Sequence, residues 1–108
     1  DFTHELVTVI EGEDGLVLLT GCGHLGVLNM LVAVKNAFPD QPILAVVGGF
    51  HLQREDLRLI EKVGEALLAE KIPMILSGHC TGNKAMCRLK TSLGDRFRNL
   101  FTGRVISV

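Results

Sequence analysis

Three short apolar blocks run along the chain, Leu16 to Thr20, Ile43 to Val47 and Met74 to Ser77, and each gives way abruptly to glycine. Blocks this short and this uniformly apolar read as buried strands of a mostly parallel sheet. After each block the spacing becomes helical. Val27, Leu31, Val34 and Phe38 form a stripe that begins after Gly26 and stops at Pro39-Asp40. Leu57, Ile60, Gly64, Leu67 and Leu68 form a second stripe, closed by Pro73. The acids of Arg54-Glu55-Asp56 fall in its first turn, where they suit the positive end of the helix. Ala85, Met86, Leu89 and Leu93 form a third, with Thr81 placed to cap it and Gly94-Asp95 to break it. At the front, Glu5 to Ile10 is rich in β-branched residues, and Glu11 to Gly15 turns it into a hairpin with Leu16 to Thr20 through a five-residue loop. At the back, Arg104 to Val108 reads as a last short strand after Thr102-Gly103. The predicted order is β-β-α-β-α-β-α-β, an α/β fold whose crossovers should be right-handed.

A histidine follows the glycine that ends each block: Gly21-Cys22-Gly23-His24, Gly48-Gly49-Phe50-His51 and Gly78-His79. These histidines stand 27 and 28 residues apart, one βα unit each time, which makes the pattern a convergence on one site rather than a solenoid repeat. Parallel strands put their C-terminal loops on one sheet edge, so three of the four histidines in the chain should meet there. Neutral imidazole is the commonest protein ligand for a metal, and zinc takes about four ligands from His, Cys or carboxylate. His24, His51 and His79 are therefore the candidate metal ligands. A single histidine at a strand end more often bonds its own loop; three at equivalent positions favour a shared site. His4 lacks this context and reads as an exposed strand or turn residue.

Cys22 and Cys80 flank the same loops. Each is a metal ligand, a nucleophile activated by a nearby imidazole, or simply a small residue suited to a tight loop. Cys87, inside the third helix, reads as packing. Both Gly21-Cys22-Gly23-His24-Leu25-Gly26 and Gly78-His79-Cys80-Thr81-Gly82 enter helix N-termini, which favour anions. Gly23, Gly49, Thr81 and Gly82 are the candidate substrate contacts. Neither loop matches a phosphate-binding P-loop or a dinucleotide fingerprint. Lys84 with Arg88, and Asp95 with Arg96 and Arg98, read as solvated surface charge.

At 108 residues the chain suits one domain, and its 47% hydrophobic content is ordinary for a globular protein. A net charge of −1 gives no basis for binding nucleic acid. The longest apolar stretch, Leu25 to Val34, is interrupted and too short to span a bilayer. Three cysteines without finger spacing favour free thiols in a reducing, cytoplasmic setting. The chain opens on Asp1 rather than Met, which fits a fragment of a longer protein.

With these motifs in place, the chain resembles the C-terminal half of a metallo-β-lactamase-fold metal-dependent hydrolase of β-lactamase superfamily II. The similar branch is that of the 7,8-dihydropterin-6-methyl-4-(β-D-ribofuranosyl)-aminobenzene 5′-phosphate synthase-like proteins. The resemblance rests on Gly15 to His24, Val47-Gly48-Gly49-Phe50-His51-Leu52, Gly78-His79-Cys80-Thr81-Gly82, Gly94-Asp95-Arg96-Phe97 and Thr102-Gly103. It covers nearly the whole chain. It implies an αββα sandwich with a metal site at one edge, of which residues 1–108 form a single partial domain. His79 resembles the last ligand histidine, His24 a ligand or immediate neighbour of the metals, and His51 a residue that touches metal or substrate and is the catalytic candidate. Cys22 falls where relatives carry an Asp or Cys ligand and is the alternative to His24. The family's H-x-H-x-D-H signature is absent and would lie upstream of Asp1. Gly23-His24-Leu25-Gly26 departs from the usual neighbours of that histidine, which adjusts the loop.

The resemblance implies a divalent metal, zinc first with iron or manganese as alternatives, and a small anionic or phosphorylated substrate. On this reading the chain alone, lacking half the ligands, should be inactive. Two other readings stand beside it. One is a non-catalytic α/β module that binds a phosphorylated ligand at its glycine-rich helix starts. The other is an enzyme that uses Cys22 or Cys80 as nucleophile. A half-sandwich should also bare apolar sheet surface and self-associate, most simply as a homodimer.

Overall fold

The computed structural model describes residues 6–24 and 26–107, and of His79 the backbone alone. Expectations that fall on His4, Glu5, Leu25 and Val108 lie outside the described residues. Five strands form one sheet in the order β1 (Val7–Glu11), β2 (Leu16–Thr20), β3 (Ile43–Gly48), β4 (Met74–Ser77) and β5 (Phe97–Asn99). β1 and β2 are an antiparallel hairpin, and β2 through β5 are parallel. Its turn is closed by the Gly12 N–H donating to the Gly15 carbonyl at 2.9 Å. Helices α1 (Val27–Ala37), α2 (Leu57–Ala69) and α3 (Asn83–Leu93) connect the parallel strands. Each crossover steps one strand in the same direction, so a uniform right hand places all three helices on one face of the sheet.

The core fills the space between that face and the helices. Leu16, Leu18, Val46, Ile75 and Phe97 project from the sheet and meet Val27, Leu31, Val34, Ile60, Leu67 and Leu89 from the helices. Register puts Ile10, Val17, Leu19, Ala45, Val47 and Leu76 on the opposite face. There Ile10 is 50% and Leu19 37% exposed, so the second face is apolar and in part open to water.

Several local expectations are corrected. The last strand is Phe97–Asn99, not Arg104 to Val108: Phe97 is wholly buried and the Leu100 N–H bonds the Ser77 carbonyl, extending the pairing to β4. Helix α2 starts one residue after its acids. Asp56 is its N-cap, accepting from the Leu59 N–H at 2.9 Å, which removes one orphan amide directly. The α2 stripe is Ile60, Val63, Gly64 and Leu67, while Leu57 and Leu68 are exposed. Helix α3 is capped by Gly82 rather than Thr81, which sits in a single tight turn before it. Cys87 is exposed, so it does not pack in the core.

Candidate functional site

The C-terminal ends of β2, β3 and β4 open into three loops, 21–26, 49–56 and 78–82, at one edge of the sheet. They are cross-linked to one another. The Gly49 N–H donates to the Gly21 carbonyl at 2.8 Å, tying the second loop to the first. The Gln53 N–H donates to the Cys80 carbonyl at 3.2 Å, tying the second to the third. The Cys80 thiol donates to the Cys22 carbonyl at 3.1 Å, tying the third to the first.

A buried hydroxyl pair anchors this arrangement. Thr81 Oγ1 accepts from the Phe50 N–H at 2.9 Å and lies 2.6 Å from Ser77 Oγ. Both side chains are fully buried. Thr81 is thus an internal fastener, and its hydroxyl is committed to the loops rather than offered to a ligand. Ser77 belongs to none of the motifs above; its signal in the sequence is a polar residue closing an otherwise apolar strand.

Close approach of the loops depends on glycine. A Cβ on Gly49 would stand 2.8 Å from both Cys80 Sγ and the Gly21 carbonyl oxygen. Gly23, at φ +69, faces Gly49 so tightly that a Cβ would lie 2.6 Å from the Gly49 oxygen. Both are buried, and their part is to let the first and second loops touch.

That contact brings two imidazoles together. The rings of His24 and His51 lie edge to face with centroids 4.5 Å apart. His51 is exposed between buried Phe50 and Leu52 and holds φ at 52°, a left-handed backbone uncommon for a residue with a side chain. Conformations of this kind cost on the order of 1–3 kcal/mol and persist where packing over-determines them. Here the two flanking apolar side chains are sunk in the core and fix the turn. Beside the rings is a cavity of about 330 Å³, whose walls include Gly23, Gly26, Phe50 and Glu55 and the start of α1. The N-cap of α1 is Gly26, with no side-chain cap on its first-turn amides.

His79 lies in the third loop, between Gly78 and Cys80, so the backbone carries all three histidine positions to this edge. Two imidazoles are the right kind of donor for a divalent transition metal. Among the described residues, however, no group of three or more His, Cys, Asp or Glu side chains gathers closely enough to hold an ion. The fit is therefore correct in chemistry and partial in number. Burial raises the Cys80 thiol pKa, opposed by a backbone hydrogen bond from His51 and reinforced by the neighbouring Cys22. That is the opposite of what activates a cysteine nucleophile.

Elsewhere the charged pairs are surface features. Arg88 Nε lies 3.7 Å from Glu61 and Lys90 Nζ 3.8 Å from Asp95. Neither reaches the histidine cavity.

Comparison with known proteins adds the frame. No protein-family model matches the chain. The structure superposes on the crystal structure of a metal-dependent hydrolase of the β-lactamase superfamily with a TM-score of 0.86 and 32% identity. The alignment covers 93% of this chain and 39% of that one. The fold is that of one part of a β-lactamase-superfamily hydrolase. Its sheet, with helices on one face, is half of such a sandwich. Two curated relatives come from Methanocaldococcus jannaschii. One, named 7,8-dihydropterin-6-methyl-4-(β-D-ribofuranosyl)-aminobenzene-5′-phosphate synthase, is 32% identical over 102 residues, spanning 94% of this chain. The other, an uncharacterised protein, is 32% identical over 92 residues. The chain spans about a third of the length of these relatives, 35% and 34% respectively. No helix among the described residues is long and apolar enough to cross a membrane.

Proposed function

We propose that this chain forms the C-terminal portion of a metal-dependent hydrolase, and that the loop edge of its sheet supplies part of the metal centre. The observation that carries the reading is the meeting of His24 and His51, rings 4.5 Å apart, at the edge where the backbone also delivers His79. In this reading His24 and His79 are ligands and His51 is a third ligand or a substrate contact. Cys22 is the alternative to His24. The remaining ligands come from a segment upstream of Asp1.

A divalent metal bound there, zinc or else iron or manganese, would supply Lewis acidity and an acidified water. The chain's own groups do the rest. The cross-linked loops hold the imidazoles in fixed relation, so little ordering is left to occur during reaction. The start of α1, Gly26 to Asn29, lines the cavity, and a helix N-terminus suits an anionic group of the substrate. A phosphorylated small molecule fits this arrangement, and the named archaeal relative carries a 5′-phosphate in its name. This supports the synthase-like branch as the origin of the chain.

The test is metal content. His79→Ala and His24→Ala in the intact protein are expected to lose most bound metal by inductively coupled plasma mass spectrometry, and to lose turnover of phosphate esters with it. Cys87→Ser, on the exposed side of α3, should keep both. Metal content unchanged in both histidine variants would overturn the assignment.

The glycine caps of α1 and α3 also support a second reading, a non-catalytic module for phosphorylated ligands. It predicts that a phosphate ester raises the melting temperature equally with and without a chelator, whereas the metal reading predicts that the chelator abolishes the rise.

A further inference from the structure

We infer that Cys22 and Cys80 form a reversible dithiol–disulfide pair that clamps the first loop to the third. The two residues are 58 apart in sequence, yet the Cys80 sulfur donates to the Cys22 carbonyl at 3.1 Å. Gly49 stands between them. A Cβ there would lie 2.8 Å from Cys80 Sγ and 3.3 Å from Cys22 Cα, so both cysteines crowd the one point that residue 49 leaves empty. Neither cysteine is fully buried. The inference needs only this geometry and is independent of the hydrolase reading.

The oxidant is a low-molecular-weight disulfide such as glutathione disulfide. Cys22 attacks one of its sulfurs, forming a mixed disulfide and releasing one glutathione thiol. The Cys80 sulfur then attacks Cys22 Sγ, the mixed disulfide breaks, and the second glutathione thiol leaves. Two protein thiols are oxidised, one glutathione disulfide is reduced to two thiols, and the two protons leave with them. Reduction by excess thiol reverses each step. Closing the bond would immobilise the loop that carries His24 against the loop that carries His79.

The experiment exposes the intact protein, freed of metal by chelation, to glutathione disulfide, then maps cross-linked peptides by mass spectrometry. The expected product is the Cys22–Cys80 pair, lighter by two hydrogen atoms and lost on reduction. It should exceed either pairing that involves Cys87, which α3 holds on its exposed side, by roughly tenfold, because Cys80 already contacts Cys22. A denatured sample is the control. There Cys80 and Cys87, with six intervening residues, close a ring more readily than Cys22 and Cys80, with 57, so the preference should invert. Separate glutathione adducts on Cys22 and Cys80, or the same pairing ratios folded and denatured, would overturn the inference.

Discussion

Gly49→Ala isolates the steric logic of the loop edge. The backbone of Gly49 holds angles open to any residue, so the methyl group introduces no left-handed strain. Its difficulty is space: the new carbon would meet Cys80 Sγ at 2.8 Å and the Gly21 carbonyl oxygen at 2.8 Å. The sulfur can rotate aside by giving up its bond to Cys22. The carbonyl cannot, because the Gly49 N–H holds it at 2.8 Å. Overpacking of this kind costs about 1–3 kcal/mol. With a urea slope of about 1–3 kcal/mol/M, the unfolding midpoint should fall by roughly 1 M at unchanged slope. Gly21→Ala is the matched control, with nothing within 4 Å of its added carbon and no positive φ; it should stay within about 0.5 kcal/mol of the parent. In the Gly49→Ala background, Cys80→Ala should recover part of the loss, a coupling that a double-mutant cycle reads directly. If Gly49→Ala is as silent as Gly21→Ala, the loops are not packed as described.

Thr81→Val keeps the shape but strands the buried Phe50 N–H and the Ser77 hydroxyl; it should cost about 1–3 kcal/mol in chemical denaturation, and Thr81→Ser should restore most of it. A loss no larger for Val than for Ser would refute the fastener role. In a timed iodoacetamide reaction at neutral pH, exposed Cys87 should react first and Cys80 slowly. Burial raises the Cys80 pKa, so its thiolate fraction at neutral pH is below that of an ordinary cysteine and its rate should climb steeply as the pH is raised. Equal rates at neutral pH would count against that burial. The chain in isolation should associate through the sheet face that carries Ile10 and Leu19, a second copy covering the first, with sedimentation velocity showing a concentration-dependent dimer that Leu19→Lys weakens. A sharp monomer at high concentration would rule this out.

The parallel framework was legible because its strands are uniformly apolar and each runs into a glycine, and β4 was found residue for residue. The edge strand β5 was not. It is three residues long with charge on both sides, and only Phe97 points inward, which no periodicity can display. The α2 stripe was right at Ile60, Gly64 and Leu67 but took in exposed Leu57 and Leu68 and left out Val63, because hydrophobicity alone does not say which apolar side chain is buried. The gathering of histidine positions at one edge followed from topology. The contact between His24 and His51 did not, since it depends on a left-handed turn at a residue whose identity gives no hint of it. Thr81 was noticed for the wrong reason: a threonine before a helix suggests a cap, while the hydroxyl's partners lie on the second loop and at the end of β4.

His51 is held by its neighbours rather than by its own side chain. Phe50 and Leu52 are anchored in the core on either side, while the exposed imidazole between them meets the ring of His24. Position 51 is thereby a socket. Asparagine tolerates the same left-handed turn and would present an amide oxygen where the imidazole nitrogen now stands, and glycine would present nothing while relaxing the backbone. The hardness of the donor at this edge can thus be exchanged without rebuilding the protein around it, which makes residue 51 the natural place to retune what the edge binds.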